Sequence, residues 1–417
     1  MEAAGIRKVI GNLRQRPLFV KKDNIIENLC APKDLIVGRL GNRRSVSVFF
    51  FMHGLCFASW ASRIPTIQST LNLSPSALGT ILFALPLGFF ISLAFAGGLI
   101  AKFGSKTTVV LSSILYSASL IGTGISASVE QIAVSLLIFG FFANLLNISI
   151  NTQAVAVEAS YQKRLMATFH GLWSLAGFAG AAIGTWMMGK GVAPLYHFLI
   201  ISILFFIAIA ICAFRLVAKD NNPAEKSPLF VLPDKALLGL GLIAFCSMMV
   251  EGAMFDWSGI YFTAVVGVDE GFTGLGYTTF MIAMAGMRFL ADGLAGRFGL
   301  KRILQASGTF ASMGLILAVV LPQLLPSLFG FLLIGIGVSS VVPMVYSAAG
   351  KSKTMAAGTA ITAVSSLGFM GFLIGPPAIG FIAEASCLRG SFLALTIMSV
   401  AVVIFSSFMR SDENRIN

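Results

Sequence analysis

Charged residues are scarce in this chain. Only 11% of its 417 residues are Asp, Glu, Lys or Arg, whereas 57% are hydrophobic. A soluble globular domain carries roughly 25% charged residues, so this composition argues against a water-soluble fold. The mean hydropathy of +0.89 also excludes intrinsic disorder, because disordered chains have few apolar residues and a high net charge.

Metal-site and catalytic motifs are absent from the sequence. The five cysteines contain no Cys-x-x-Cys pair, so neither a zinc site nor a disulfide framework is indicated. The three histidines share no metal-ligand spacing. No complete phosphate-binding loop, nucleophile elbow or His-Glu-x-x-His motif occurs. We therefore expect no cofactor, no metal and no enzymatic activity.

Long apolar runs make up most of the chain instead. Twelve of them occur after residue 44, and each is close to the ~20 apolar residues that a membrane-spanning helix needs. The runs are continuous rather than alternating, which is typical of helices and not of a membrane β-barrel. The sequence therefore predicts an all-α membrane protein with twelve transmembrane helices.

The longest internal hydrophilic stretch divides these runs six and six. It extends from Arg215 to Lys235. This division predicts two pseudo-symmetric six-helix bundles joined by a linker. The predicted parts are a basic N-terminal arm at 1–44, a first bundle at 45–218, a linker at 219–234, a second bundle at 235–410 and a tail at 411–417.

The net charge of +12 has a topological explanation. The basic residues lie between apolar runs and not on one patch, so nucleic-acid binding is not indicated. With the N-terminus in the cytoplasm, nearly all Lys and Arg fall on the cytoplasmic side, as the positive-inside rule requires. We therefore expect both termini and the linker to be cytoplasmic.

Two short loops repeat each other, which indicates duplicated halves. The matching positions, 195 residues apart, are Gly98, Lys102 and Gly104 in the first loop and Gly293, Arg297 and Gly299 in the second. Glycine lets two helix ends approach closely, and cations can meet helix C-termini there. We expect a gating or structural role for these six residues.

The two loops resemble the signature loop of the major facilitator superfamily. Ala101 and Gly296 stand where that signature usually has Asp, so the resemblance does not extend to an Asp-mediated latch. More specific strings resemble bacterial transporters related to fucose permease; they begin at Trp60, Phe169, Glu251 and Gly371. The resemblance implies the two-bundle fold, the bacterial inner membrane and sugar transport by proton symport.

Polar side chains recur on single faces of several predicted spans. Asn144, Asn147 and Asn151 form a stripe at helical spacing on the fourth span. Because Asn facing lipid is costly, the stripe faces either a cavity or a neighbouring helix. The full set of expected substrate-binding residues is His53, Trp60, Asn144, Asn147, Asn151, His170, Trp173 and Ser258. Helix packing is the alternative for each of them.

Ionisable residues inside the spans indicate proton coupling. Glu251 lies near the middle of the seventh span, and Asp256 points roughly 140° away from it on a helical wheel; these two are the expected coupling acids. Arg288 and Asp292 are four residues apart on the eighth span and are expected to pair with each other as a structural latch. The acids that fucose permease relatives carry on helices 1 and 4 are not present here.

These observations favour a secondary active transporter for a small polar solute, a sugar or sugar derivative, driven by protons. Its expected partners are the solute, protons and the lipid bilayer, and a monomer is the expected state. Two alternatives stay open. One is a proton-antiport exporter of drugs or hydrophobic metabolites, and the other is a non-transporting membrane sensor that uses its basic arm.

Overall fold

The computed structural model describes residues 33–161, 165–218, 232–352, 354–355 and 357–409. All regular secondary structure in these ranges is helical, which confirms the prediction of an all-α protein. The α-helices are α1 Lys33–Ser62, α2 Ile64–Thr70, α3 Pro75–Leu82, α4 Ala84–Ile125, α5 Val129–Tyr161, α6 Met166–Gly189, α7 Pro194–Cys212, α8 Leu238–Tyr261, α9 Leu275–Phe298, α10 Leu300–Val320, α11 Leu324–Val338, α12 Val341–Ala349, α13 Ala357–Ala385 and α14 Leu388–Ser407.

Nine helical stretches of the described residues are long and apolar enough to cross a membrane. A helix suits this environment because it satisfies every backbone hydrogen bond internally. Many large apolar side chains lie on the outside of the helices. Leu325 is 77% exposed and Ile404 is 49% exposed, and we assign such surfaces to lipid contact.

Local sequence explains where several helices begin and break. The Ser74 hydroxyl caps α3 by accepting a hydrogen bond from the Ala77 backbone N–H at 3.3 Å, and Pro75 occupies the first helical turn. The predicted tenth span is divided into α11 and α12 at Ser339 and Ser340. Pro343 follows within one turn, and its missing N–H weakens the helix there.

The described helices form two groups, one on each side of residues 219–231. In the first group α1 packs against α5, α6 and α7, and α4 packs against α5; in the second, α8 packs against α13 and α14, and α10 packs against α11 and α14. We call the end at which the chain passes from one group to the other the linker end, and the opposite end the far end.

The two repeated loops share an unusual backbone conformation. Gly104 has φ 79° and ψ 155°, and Gly299 has φ 79° and ψ 157°. Only glycine adopts this region readily, because it has no Cβ. The 42-residue helix α4 is broken at Gly104, and α9 gives way to α10 at Gly299. The structure thus confirms the internal repeat at these positions.

Side chains next to the two glycines also repeat. The Lys106 ammonium donates to the Phe214 carbonyl at 3.2 Å, and the Lys301 ammonium donates to the Ser407 carbonyl at 2.8 Å. Each lysine therefore connects the loop to the C-terminal end of another helix in its own group, since Phe214 lies just after α7 and Ser407 ends α14. A cation at a helix C-terminus also interacts favourably with the helix dipole.

We expect Gly299→Ala to destabilise the protein by about 1–3 kcal/mol, the cost of holding a side chain in that backbone region. A Cβ at this position would meet no atom within 4 Å, so the backbone alone is tested. Gly286→Ala is the matched control, because its site is equally open and lies inside helix α9. The measurement is the thermal unfolding midpoint of each variant in detergent. Equal midpoints would contradict the conformational argument.

Candidate functional site

A chain of hydrogen-bonded polar side chains begins on α5 and crosses to α6. The Asn151 amide nitrogen donates to Oδ1 of Asn147 at 3.1 Å, one helical turn away. Oδ1 of Asn151 lies 3.2 Å from Nε2 of His170 on α6. All three side chains are half-buried, so they present donors and acceptors without being sealed in the interior.

The chain continues from α6 into the second group of helices. The Ser174 hydroxyl donates to the His170 carbonyl at 3.2 Å and accepts from Nη1 of Arg288 at 2.8 Å. Nη2 of Arg288 donates to Oε1 of Glu251 at 3.2 Å. Arg288 on α9 therefore connects Ser174 of the first group with Glu251 of the second.

The ion pair is mostly shielded from solvent. The side chains of Arg288 and Glu251 are 21% and 10% exposed. Two opposite charges at this distance stabilise each other, and removing either one leaves the other poorly solvated. A carboxylate can also take up a proton, which would remove its charge and leave the guanidinium without its counter-ion. The pair can therefore exist in two charge states with different bonding.

An aromatic layer covers this polar chain on the side of the far end. Phe255 lies one turn beyond Glu251 on α8 and contacts Phe57 and Trp173 of the first group, with ring centroids 5.5 and 6.5 Å apart. It also contacts three rings of the second group, at centroid distances of 5.9 to 6.1 Å: Tyr277, Phe280 and Phe372. The layer separates the polar chain from the far end.

Three of the expected substrate-binding residues belong to packed regions. Asn144 is buried, and its amide donates to the Phe89 carbonyl at 3.0 Å and to the Ser92 hydroxyl at 2.7 Å. Trp60 is buried with 1% exposure, and the buried Ser258 hydroxyl donates to the Met254 carbonyl. These placements favour the packing alternative for all three residues.

His53 and Trp173 lie beside the aromatic layer. The His53 ring meets Tyr116 edge-on with centroids 5.4 Å apart and lies 6.3 Å from the ring of Trp173. His53 is buried, and its Nδ1 has no partner among the described residues. Trp173 is half-buried and also contacts Phe57 at 6.0 Å. The structure thus places these two residues against the candidate site.

The two acids on α8 lie in different surroundings. The helix is unbroken from Leu238 to Tyr261, so Asp256 stays on another face from Glu251. Asp256 is buried with 9% exposure, and its carboxyl group has no hydrogen bond to any described residue. The arginine contact therefore distinguishes Glu251 from Asp256.

The expected pairing of Arg288 with Asp292 stays a prediction. Its guanidinium reaches Ser174 and Glu251 on other helices. The side chain of Asp292, its expected partner, lies outside the described part of the chain, as does Gly293. In the repeated loops, Gly98 is exposed, while Lys102 and Arg297 lie over the neighbouring Phe rings at 5.2 and 5.4 Å from the centroids.

Two features of the site were not predicted from the sequence. The contact of Arg288 with Glu251 had a usable signal, because opposite charges at mid-depth on consecutive spans tend to pair inside a membrane protein. The aromatic layer had none. The chain contains 36 Phe, and lipid-facing rings cannot be told from cavity rings by spacing alone.

Comparisons with known proteins agree on one family. The model of the Major Facilitator Superfamily matches residues 46–353 and 240–416. An uncharacterized MFS-type transporter of Yersinia pestis is 31% identical over 359 residues, covering 86% of this chain and 93% of that protein. A mutant of the nucleoside transporter NupG matches with TM-score 0.70 and 13% identity, covering 88% and 99%. FucP in its outward conformation matches with TM-score 0.58 and 18% identity, covering 88% and 98%.

We expect Arg288→Met to lower the thermal unfolding midpoint more than the double variant Arg288→Met/Glu251→Gln does. The single change leaves a carboxylate without its partner, whereas the double change removes both charges. Residues in direct contact typically show interaction energies of about 0.5–3 kcal/mol. The measurement is a double-mutant cycle of unfolding midpoints in detergent. Additive effects of the two changes would show that the ion pair does not couple these residues.

Proposed function

Because this chain belongs to the major facilitator superfamily, we propose that it is a transporter that moves a small polar solute by proton-coupled alternating access. The observation that carries this proposal is the Arg288–Glu251 ion pair at the end of a polar chain that connects the two groups of helices. A protonatable carboxylate at such a junction is suited to couple a charge change to relative motion of the groups.

We place twelve spans in the bacterial inner membrane with both termini in the cytoplasm. The nine apolar stretches support this count, because one of them, Pro75–Ile125, is 51 residues long and breaks at Gly104 into two arms. Helices α6 and α9, of 24 residues each, complete the twelve. The positive-inside distribution of Lys and Arg supports the orientation, and the Yersinia relative supports a bacterial setting. The domain boundaries proposed above follow from this topology.

We further propose that the structure represents the state that opens toward the linker end. Helix α6 lies close to the second group near both of its ends. A Cβ at Gly171 would overlap the Phe289 ring of α9, and one at Gly189 would lie 2.8 Å from Cα of Gly271, shortly before α9. On the opposite side, the seam between the first group and α13 is formed mainly by the short helix α3 at the far end. The two groups therefore diverge toward the linker end on that side.

Proton coupling would act through the bonding of Arg288. With Glu251 ionised, the guanidinium is held between Glu251 and Ser174 and connects the two groups. When Glu251 takes up a proton, it loses its negative charge and the guanidinium loses its counter-ion. Arg288 is then free to bind solute oxygens or to move with its own group. Solute binding and protonation are thereby linked at one side chain.

The solute class follows from the groups that remain accessible. The half-buried amides of Asn147 and Asn151 and the half-buried imidazole of His170 offer both donors and acceptors, which suits a solute rich in hydroxyl groups. NupG is a nucleoside transporter, and a nucleoside carries a sugar. We therefore propose a sugar or sugar derivative as the solute.

The exporter of hydrophobic compounds remains the second candidate, and the aromatic layer around Phe255 is the observation that favours it. The polar chain beneath that layer disfavours it, because an apolar compound would leave those donors and acceptors unpaired. The sensor alternative depends on the basic arm, whose residues 1–32 lie outside the described structure.

We expect Glu251→Gln to abolish uphill accumulation of the solute while exchange of solute across the membrane continues. The amide cannot take up and release a proton, but it keeps the size of the side chain. The measurement compares accumulation with counterflow exchange in proteoliposomes, using a solute first found by thermal-stability screening. Asp256→Asn is the matched control and should retain accumulation. If Glu251→Gln still accumulated solute, Glu251 would not be the coupling acid. If only Asp256→Asn lost accumulation, Asp256 would be the coupling acid instead.

We expect Asn147→Ala and Asn151→Ala each to weaken solute affinity by about 1–3 kcal/mol, because a buried solute hydroxyl would lose its partner. Asn144→Ala is the matched control on the same helix. Its amide is already bonded to α4, so it should lower the unfolding midpoint and leave affinity unchanged. The measurement is solute binding by calorimetry. Similar affinity losses in all three variants would indicate a general disturbance of α5.

A further inference from the structure

A cavity of about 420 Å³ lies at the far end, on the other side of the aromatic layer from the polar chain. Its volume falls in the range of small-molecule sites, roughly 300–1,000 Å³. Both groups of helices form its walls. Gln68 and Pro75 come from the first group, and the second group contributes the ends of α8 and α13 and the start of α14. The cavity is thus separate from the candidate site described above.

The polar side chains that line the cavity are donors rather than acids. Arg389 is exposed, and its Nε and Nη2 both donate to the Val319 carbonyl, at 3.1 and 2.6 Å. This contact fixes the guanidinium and leaves Nη1 for another acceptor. Gln68 adds an amide whose nitrogen donates to the Leu73 carbonyl at 3.3 Å. No carboxylate occurs among the described residues that line the cavity.

The acid nearest to Cys387 along the chain, Glu384, is not part of the cavity lining. Glu384 precedes the cavity residue Cys387 by less than one turn, but its Oε2 accepts from the Ser76 backbone N–H at 3.3 Å, outside the cavity lining. Trp257 forms the inner wall, and its buried indole N–H has no acceptor among the described residues. The rest of the wall is apolar, including Ile260 and Val265.

From this lining we propose that the cavity is a second binding site, for a small carboxylate or phosphate with an apolar body. The anionic group binds Arg389, and the apolar body packs against the end of α8. The site exists only while the far ends are together, because Gln68 and Pro75 belong to one group and Arg389 to the other. A bound ligand therefore holds the transporter in the state described here and inhibits uptake from the far side.

The close packing of the far ends supports this linkage. A Cβ added at Gly79 on α3 would lie 2.6 Å from the Pro376 carbonyl oxygen on α13, and one added at Gly259 on α8 would lie 2.7 Å from the Pro65 ring. Both contacts join the first group of helices to the second, so they hold the two walls of the cavity next to each other. Opening the far end would separate them and remove the site.

Cys387 lines the cavity and is exposed. The rate at which a neutral maleimide modifies it therefore reports whether a ligand occupies the cavity. The probe is 1-naphthoate, and 1-naphthamide is its uncharged counterpart. The protein is used in phosphatidylcholine bilayers with Cys30 replaced by serine. The half-buried Cys212 at the linker end is the internal control. A second experiment omits naphthoate and includes phosphatidylglycerol in the bilayer. It distinguishes a lipid headgroup from a soluble anion as the source of the ligand.

We expect naphthoate to slow modification of Cys387 and not of Cys212, and naphthamide to protect far less. Arg389→Gln should weaken protection about tenfold, the effect of losing one hydrogen bond to a charged group, and Arg389→Lys should restore much of it. Gln68→Ala should also weaken protection, since it alters the wall of the other group. An unchanged Cys212 rate and unfolding midpoint verify that each variant is folded.

Three results would overturn the proposal. Equal protection by naphthoate and naphthamide would show that the cavity has no anion selectivity. Undiminished protection in Arg389→Gln would show that the anion binds elsewhere. Absence of protection by both naphthoate and phosphatidylglycerol would show that the cavity does not bind this class of ligand. None of these readouts requires proton-coupled transport, so they leave the proposed function unaffected.

Discussion

The ion pair between Arg288 and Glu251 is the interaction on which this account depends. Most of the protein is apolar helix, where an isolated charge is costly. The structure reduces that cost by placing the two charges 3.2 Å apart and by giving the guanidinium a second partner, Ser174, in the other group of helices. A change in the charge of Glu251 therefore alters both its local bonding and a contact between the two groups.

The positions around the pair have complementary roles. On the far side, the rings around Phe255 lie between the junction and the far end. On the other side, Asn147, Asn151 and His170 extend the hydrogen-bonded chain toward the linker end and remain half-buried. A solute that enters from that end would meet polar groups first and the aromatic layer last. Under the proposed function, this order would let one set of helices both bind a polar solute and block its passage.

Much of the architecture could be predicted from the sequence, because it depends on patterns that are local in the chain. Apolar runs predict the helices, and the repeat of Gly104 at Gly299 predicts two loops that prove to have nearly identical φ and ψ values. Side-chain pairing was less predictable, since it depends on how helices rotate against each other. Arg63, for example, is buried and donates from Nε to Nδ1 of His197 at 3.1 Å, across 134 residues of sequence. No spacing rule anticipates that contact.

The Asn stripe illustrates the same limit within one helix. Its spacing correctly puts three amides on one face of α5, but that face changes surroundings along its length. Asn144 is buried and bonded to α4, whereas Asn147 and Asn151 are half-buried and bonded to each other.

The most direct test of the central role of the Arg288–Glu251 ion pair measures proton uptake when the identified solute binds to purified protein in weakly buffered solution. Wild-type protein should take up protons on binding, and Glu251→Gln should bind the solute without proton uptake. Equal proton uptake by both proteins would contradict the central role of the ion pair.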